Sequence, residues 1–115
     1  MRRVIIESPL SGNFKRNIRY ARLCCLDALL RGEAPYASHL LYTQMLDDED
    51  AGHRRLGMEA GFAWGEVGEL RRFCIDLGMS SGMEEGNGWL KRPANRQRGI
   101  TSHLNYWPVW TMDSR

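Results

Sequence analysis

A chain of 115 residues has room for one modest core. An apolar fraction of 43% beside 26% charged residues belongs to a folded protein, not a disordered one. A formal charge of +2 is too small to imply nucleic acid as a partner. No apolar stretch approaches the roughly 18 residues of a membrane span, and Asp27 and Arg31 interrupt the first helical run. The opening Met1-Arg2-Arg3-Val4-Ile5-Ile6 meets Glu7 too soon for a signal peptide, so the expected compartment is the cytoplasm. The cysteines agree with a reducing setting. Cys24 and Cys25 are helical neighbours pointing about 100° apart, and Cys74 falls in a buried strand. Their spacing does not resemble a zinc site, and no metal or cofactor is expected.

Val4-Ile5-Ile6 is a continuous β-branched run, the mark of a strand covered on both faces. It ends in the turn-rich Ser8-Pro9-Leu10-Ser11-Gly12-Asn13, whose last residue can cap a helix. From Phe14 to about Arg31 the apolar positions Phe14, Ile18, Ala21, Cys25 and Ala28 step by four and three, and Gly32 stops the helix. Pro35 to Ser38 reads as a second strand. Asp47 to Asp50 then supply negative charge where a second long helix would start. In it Leu56, Ala60, Ala63, Val67 and Leu70 repeat the helical stepping. Phe73-Cys74-Ile75 is a third buried strand, ending at Asp76, with Gly78 to Gly82 as its exit loop. A short helix from Met83 to about Lys91 and a strand from Ile100 to Leu104 follow. The expected division is one domain over residues 1–105 and an aromatic tail over 106–115, with Tyr106, Trp107 and Trp110.

Alternating strands and helices imply crossover connections, hence an α/β fold with a short parallel sheet of about four strands flanked by helices. The usual order puts the first strand beside the third, and where the winding reverses such sheets bind ligands. The loops Ser8–Asn13 and Asp76–Gly82 meet there. Both are rich in Ser and Gly, residues suited to an anion, though they also read as tight turns. Lys15, Arg16, Arg19 and Arg22 crowd the first turns of the helix that follows, against its dipole. A bound phosphate would turn that conflict into attraction; a solvated basic face is the plainer reading. Gly57, Gly61 and Gly65 recur four residues apart, with Gly68 beyond. Each interior glycine costs about 1 kcal/mol relative to alanine, so the stripe points to close backbone approach, by another helix of the fold or by a second subunit. Phe62 and Trp64 flank it.

The segments "VIIESPLSGN", "APYASHLLYTQMLDD", "RRLGMEAGFAWG" and "DLGMSSGM" together resemble a group of small phage-associated and actinobacterial proteins. That group looks like a compact relative of the nucleoside 2-deoxyribosyltransferases and the deoxynucleoside-monophosphate N-glycosidases. The resemblance runs from about Arg3 to Leu90. It implies a flavodoxin-like sheet, a nucleoside or nucleotide pocket at the strand ends, and homo-oligomers whose pockets borrow residues from neighbours. It also implies a catalytic glutamate four residues after a loop glycine. Counting from Gly82 lands on Gly86, with Glu84 and Glu85 close by, and a helix residue shifted by one points about 100° away. Asp76 stands where those enzymes keep a strand-end aspartate. The catalytic candidates are therefore Asp76, Glu84 and Glu85, the two glutamates doubling as ordinary first-turn acids.

The ligand-binding candidates are Ser8, Ser11, Gly12, Asn13, Arg16 and Arg19 from the first loop and helix. His39 and Tyr42 come from beyond the second strand, and Gly78, Ser80, Ser81 and Gly82 from the third strand's loop. Asp47 and Asp48 suit a ribose or simply a helix start; His53 reads as surface, and His103 has no evident partner. Three functions compete. One is an enzyme of the N-glycosidic bond of a (deoxy)nucleoside or nucleotide. Another is a nucleotide-binding protein without chemistry, such as a phage sponge for a signal nucleotide. The last is a nucleic-acid binder using Lys91, Arg92, Arg96 and Arg98 among Trp89, Trp107 and Trp110, ranked lowest because the net charge is modest.

Overall fold

Four strands form one all-parallel sheet in the order β2-β1-β3-β4: β1 (Arg2–Glu7), β2 (Glu33–Tyr36), β3 (Leu70–Cys74) and β4 (Gly99–Ser102). The helices are α1 (Phe14–Leu30), α2 (Ser38–Leu41), α3 (Ala51–Gly65) and α4 (Ser81–Leu90), with 3-10 turns at Tyr42–Gln44 and Pro93–Asn95. The computed structural model describes residues 1–104, the side chains of residues 85–87, 89, 90 and 94 excepted; Tyr106, Trp107 and Trp110 lie outside the described residues. Among the described residues no helix is long and apolar enough to cross a membrane. The α/β reading holds, and β1 does lie beside β3, with Val4 level with Leu70 and Ile6 with Arg72.

One face of the sheet carries α1. Val4, Ile6, Leu70 and Cys74 alternate toward it and pack with Tyr20, Leu23, Cys24 and Ala28. The inward stripe of α1 is Asn17, Tyr20, Ala21, Leu23, Cys24 and Ala28. Ala21 and Ala28 are as expected, whereas Asn17, Tyr20 and Cys24 are buried in place of the nearby Ile18 and Cys25, and Phe14 is exposed. The stripe shifted because two polar side chains are buried with partners. Asn17 Nδ2 donates to the carbonyls of Leu10 and Ser11 at 2.9 and 2.8 Å. The Tyr20 hydroxyl donates to Asp76 Oδ1 at 2.5 Å. Asn13 caps the helix by accepting from Arg16 N–H, and Gly32, at φ +81°, ends it as expected. All three cysteines are free; the hydrogen bond with the Cys74 thiol, then burial, push the Cys24 pKa up, which leaves a protonated, core-filling thiol.

On the other face α3 departs from its apolar periodicity. Leu56 and Val67 are exposed, and Leu70 belongs to β3. What faces inward is the glycine stripe. A Cβ on Gly61 would stand 2.8 Å from Ser38 Oγ, and one on Gly65 would stand 2.5 Å from Arg71 Nη2. The close approach inferred from the glycines is therefore made within the chain, to α2 and to a side chain of the sheet. Asp50 caps α3 from His53 N–H at 3.0 Å.

The strand boundaries moved for an electrostatic reason. β2 runs from Glu33 to Tyr36 instead of from Pro35, and β3 from Leu70 instead of from Phe73. The residues that hid them are charged yet buried. Arg72 donates through Nη1 and Nη2 to the Glu33 carboxylate at 2.6 and 3.0 Å, and Arg2 adds a third bond at 2.9 Å. α4 likewise starts two residues earlier than expected, and β4 ends two residues sooner. Burial alone would raise the Glu33 pKa, but the bonds from Arg72 and Arg2 outweigh it and hold it below its ordinary 4.5. Glu33→Ala leaves Arg72 buried and uncompensated, so urea unfolding should show a loss of about 3–5 kcal/mol. In the wild type this stabilisation is present above the ordinary carboxylate range and is lost as pH falls through the lower folded value.

Candidate functional site

The winding reverses between β1 and β3: α1 carries the chain from β1 out to β2, and α3 carries it back to β3. At the carboxyl ends of these strands, on the α3 side, lies a cavity of about 390 Å³. Strand alternation builds its floor. Ile5 is level with Tyr36 on one side and Arg71 on the other, and Glu7 is the next residue of β1 on that face. α3 supplies one wall through Gly57, Met58, Gly61 and Phe62. The α2 segment supplies another through Ser38, His39, Tyr42 and Thr43. The two Ser/Gly loops close the end, Ser8 and Ser11 from one, Ser80, Ser81 and Gly82 from the other.

The floor is charged. Arg71, its side chain 3% exposed, donates from Nη1 to Glu7 Oε2 at 2.5 Å. Burial raises the Glu7 pKa and the Arg71 guanidinium opposes the rise; burial prevails. Gly65 makes room for the guanidinium, which is what the third glycine of the stripe is for. The Tyr36 hydroxyl is buried beside the Tyr42 side chain, and among the described residues no atom meets it with hydrogen-bond geometry. Burial, then the neighbouring Tyr42 hydroxyl, push its pKa up.

Ser8 Oγ and His39 Nε2 share a hydrogen bond of 2.7 Å. Burial pushes the His39 pKa down to about 4, so the ring is neutral at pH 7 and one of its nitrogens accepts. Thr43 Oγ1 holds the His39 carbonyl at 2.8 Å, fixing the short α2 segment that presents the ring. Asn17, from the opposite side of the sheet, pins the Leu10 and Ser11 carbonyls and so shapes the Ser8 loop. Ser80 caps α4 by accepting from Met83 N–H at 3.2 Å, setting the positive end of that helix at the cavity edge. At the mouth Arg54 donates to the Asp48 carbonyl at 3.2 Å.

Of the expected ligand residues, Ser8, Ser11, His39, Tyr42, Ser80, Ser81 and Gly82 converge on the cavity. Gly12, Asn13, Arg16, Arg19 and Gly78 do not line it. Gly12 and Gly78 turn the chain at positive φ, and Arg16 is exposed beside Asn17. Asp76 is also outside it. Its Oδ1 receives the Tyr20 hydroxyl, and both its oxygens accept from Leu104 N–H at 3.0 Å, so it ties β3 to α1 and to the end of β4. Glu84 is exposed and away from the cavity, and the Glu85 side chain lies outside the described ones. Asp48 and His53 do reach the cavity mouth, and His103 Nδ1 lies 3.6 Å from Asp76. Of the basic C-terminal set, Arg92 pairs with Glu66, and Arg98 donates to the Gly68 and Glu69 carbonyls. Among the described residues no cluster of His, Cys, Asp or Glu could hold a metal ion.

Glu7 and Arg71 were missed because the charged pair Arg71-Arg72 reads against a buried strand. The available signal was the acid at the end of β1 matched to a base on its neighbour. Residues 2–100 match the family model described as a domain of unknown function, DUF7768. The chain belongs to that family. No curated protein and no solved structure matches it. The DUF7768 region spans all four strands as far as Ile100, and it contains every described residue of the cavity.

Two measurements check this geometry. In a ring-nitrogen NMR titration His39 should stay neutral down to about pH 5 and protonate near 4. Because that value is depressed, its linked stability is whole above the unfolded pKa of about 6.5 and is lost as pH falls toward 4. Asp76→Asn should lower stability by about 1–3 kcal/mol in urea unfolding, by weakening bonds to Tyr20 and Leu104.

Proposed function

We propose that the crevice binds a (deoxy)nucleoside or its monophosphate and that the protein acts on the N-glycosidic bond. The observation that carries this reading is the convergence of the four sequence segments that resemble the small phage-associated and actinobacterial group, a group that itself looks like a compact relative of the nucleoside 2-deoxyribosyltransferases and N-glycosidases. Glu7, Ser8 and Ser11 come from the first segment, and Tyr36, His39 and Tyr42 from the second. Gly57, Met58 and Phe62 come from the third, and Ser80, Ser81 and Gly82 from the fourth. All line one cavity at the winding switch, and its volume falls in the range usual for small-ligand sites. Ile5, Met58 and Phe62 offer apolar surface for a base, while the serines and the α4 terminus suit a phosphate.

Cleavage needs a carboxylate where positive charge develops on the sugar. Among the described residues the carboxylates lining the cavity are Glu7 and Asp48. Binding without turnover is the second reading, favoured by Gly86 at the expected nucleophile position and by the commitment of Asp76 to Tyr20 and Leu104. A homo-oligomer belongs to the same proposal. The glycine stripe does not speak for it, being covered within the chain, but Leu26, Leu29 and Leu30 on α1 and Leu56 and Trp64 on α3 are exposed.

The test incubates the protein with each deoxynucleoside monophosphate, follows free base by chromatography and measures binding by calorimetry. Release of base from one or more of them is expected. Tight binding with no release moves the protein to the second reading, and no binding at all overturns both. Light scattering at micromolar concentration should return a multiple of the 13.2 kDa chain mass; a monomer mass defeats the oligomer.

A further inference from the structure

Two polar groups on the floor of the crevice have bonding capacity that the described residues do not use. The Tyr36 hydroxyl is buried with no hydrogen-bond partner among the described residues, an arrangement that costs the folded state its desolvation. The Glu7 carboxylate takes one bond, from Arg71 Nη1 to Oε2, and among the described residues Arg71 is its one hydrogen-bond donor. An ionised carboxylate accepts at about four lone-pair positions, so most of this acceptor faces the cavity unused. The two groups share a face: Tyr36 is level with Ile5, and Glu7 follows two residues along the same strand. Met58 and Phe62 stand over that face from α3. The complement of such a floor is a flat, apolar-faced ring whose edge carries several N–H donors.

We infer that Glu7 and Tyr36 read the base edge of a guanine nucleotide. The carboxylate accepts from the ring N1–H and the 2-amino group, and the Tyr36 hydroxyl meets a further polar atom of the base. This rests on the nucleotide reading of the crevice. Guanine fits where the other bases do not. Adenine and cytosine set their amino group beside an acceptor nitrogen, which a carboxylate repels. Uracil and hypoxanthine offer a ring N–H with no amino group next to it. Arg71 fixes the carboxylate through Oε2, and a ligand without donors would leave the remaining acceptor positions of Glu7 buried and unanswered.

The experiment titrates the protein calorimetrically with GMP, IMP, AMP and UMP. GMP should bind at least about tenfold more tightly than IMP, the scale of one hydrogen bond to a charged group, and more tightly than AMP or UMP. Glu7→Gln should bring the GMP/IMP ratio close to one. Tyr36→Phe should weaken GMP binding while leaving the melting temperature of the free protein unchanged or raised, because the hydroxyl it removes makes no hydrogen bond among the described residues. Where Glu7→Gln fails to fold, the wild-type GMP/IMP ratio and Tyr36→Phe carry the decision. Equal binding of GMP and IMP, or unchanged GMP affinity in Tyr36→Phe, overturns the guanine edge and leaves the nucleotide reading standing. Failure of all four nucleotides to bind removes the nucleotide reading and this inference with it.

Discussion

A guanidinium buried within a parallel sheet must be neutralised and given room, and much of the α3 side of this molecule follows from meeting those demands for Arg71. Neutralisation comes from Glu7 on the adjacent strand, placed on the same face by strand alternation. Room comes from Gly65, whose missing Cβ leaves space for the guanidinium. With a charged pair there, α3 cannot seal that face with an apolar ridge, and the space that remains is the cavity. The crevice is thus a product of how β3 is charged as well as of how the chain winds.

β3 distributes its charge to both faces. Arg71 turns toward the crevice and its Glu7, while Arg72 turns away to Glu33 and Arg2. Each arginine meets a carboxylate from an earlier strand, so a register slip of one residue would bury both charges against the wrong neighbours. Buried ion pairs contribute little net stability against apolar alternatives. Here one pair joins the neighbouring strands β1 and β3, and the other reaches across β1 from β3 to β2.

The parts of this fold legible in the sequence were those set by apolar runs and turn chemistry. Val4-Ile5-Ile6 announced a two-sided strand, Asn13 and Gly32 bracketed α1, and the strand alternation put β1 against β3. The Ser8 and Ser80–Gly82 parts of the site followed, because their place depends only on topology. The floor was illegible, since Arg71 reads as a surface residue until its partner 64 positions away is known. The place of Asp76 was illegible for a related reason. A strand-end aspartate looks the same in sequence whether it faces a ligand or, as here, the Tyr20 hydroxyl and a backbone amide. Asn17 and Tyr20 likewise broke the apolar count of α1 because hydrogen bonds let polar side chains occupy core positions.

α3 inverts the usual relation between the size of a side chain and how strongly its position is constrained. Leu56, Phe62 and Trp64 are exposed, and Gly65 is its one buried position. Bulk at Leu56 is therefore little constrained by the fold, while a methyl group at Gly61 would press on Ser38 and one at Gly65 on the Arg71 guanidinium. Within a set of DUF7768 sequences, Gly61 and Gly65 should vary less than the exposed Leu56 of the same helix.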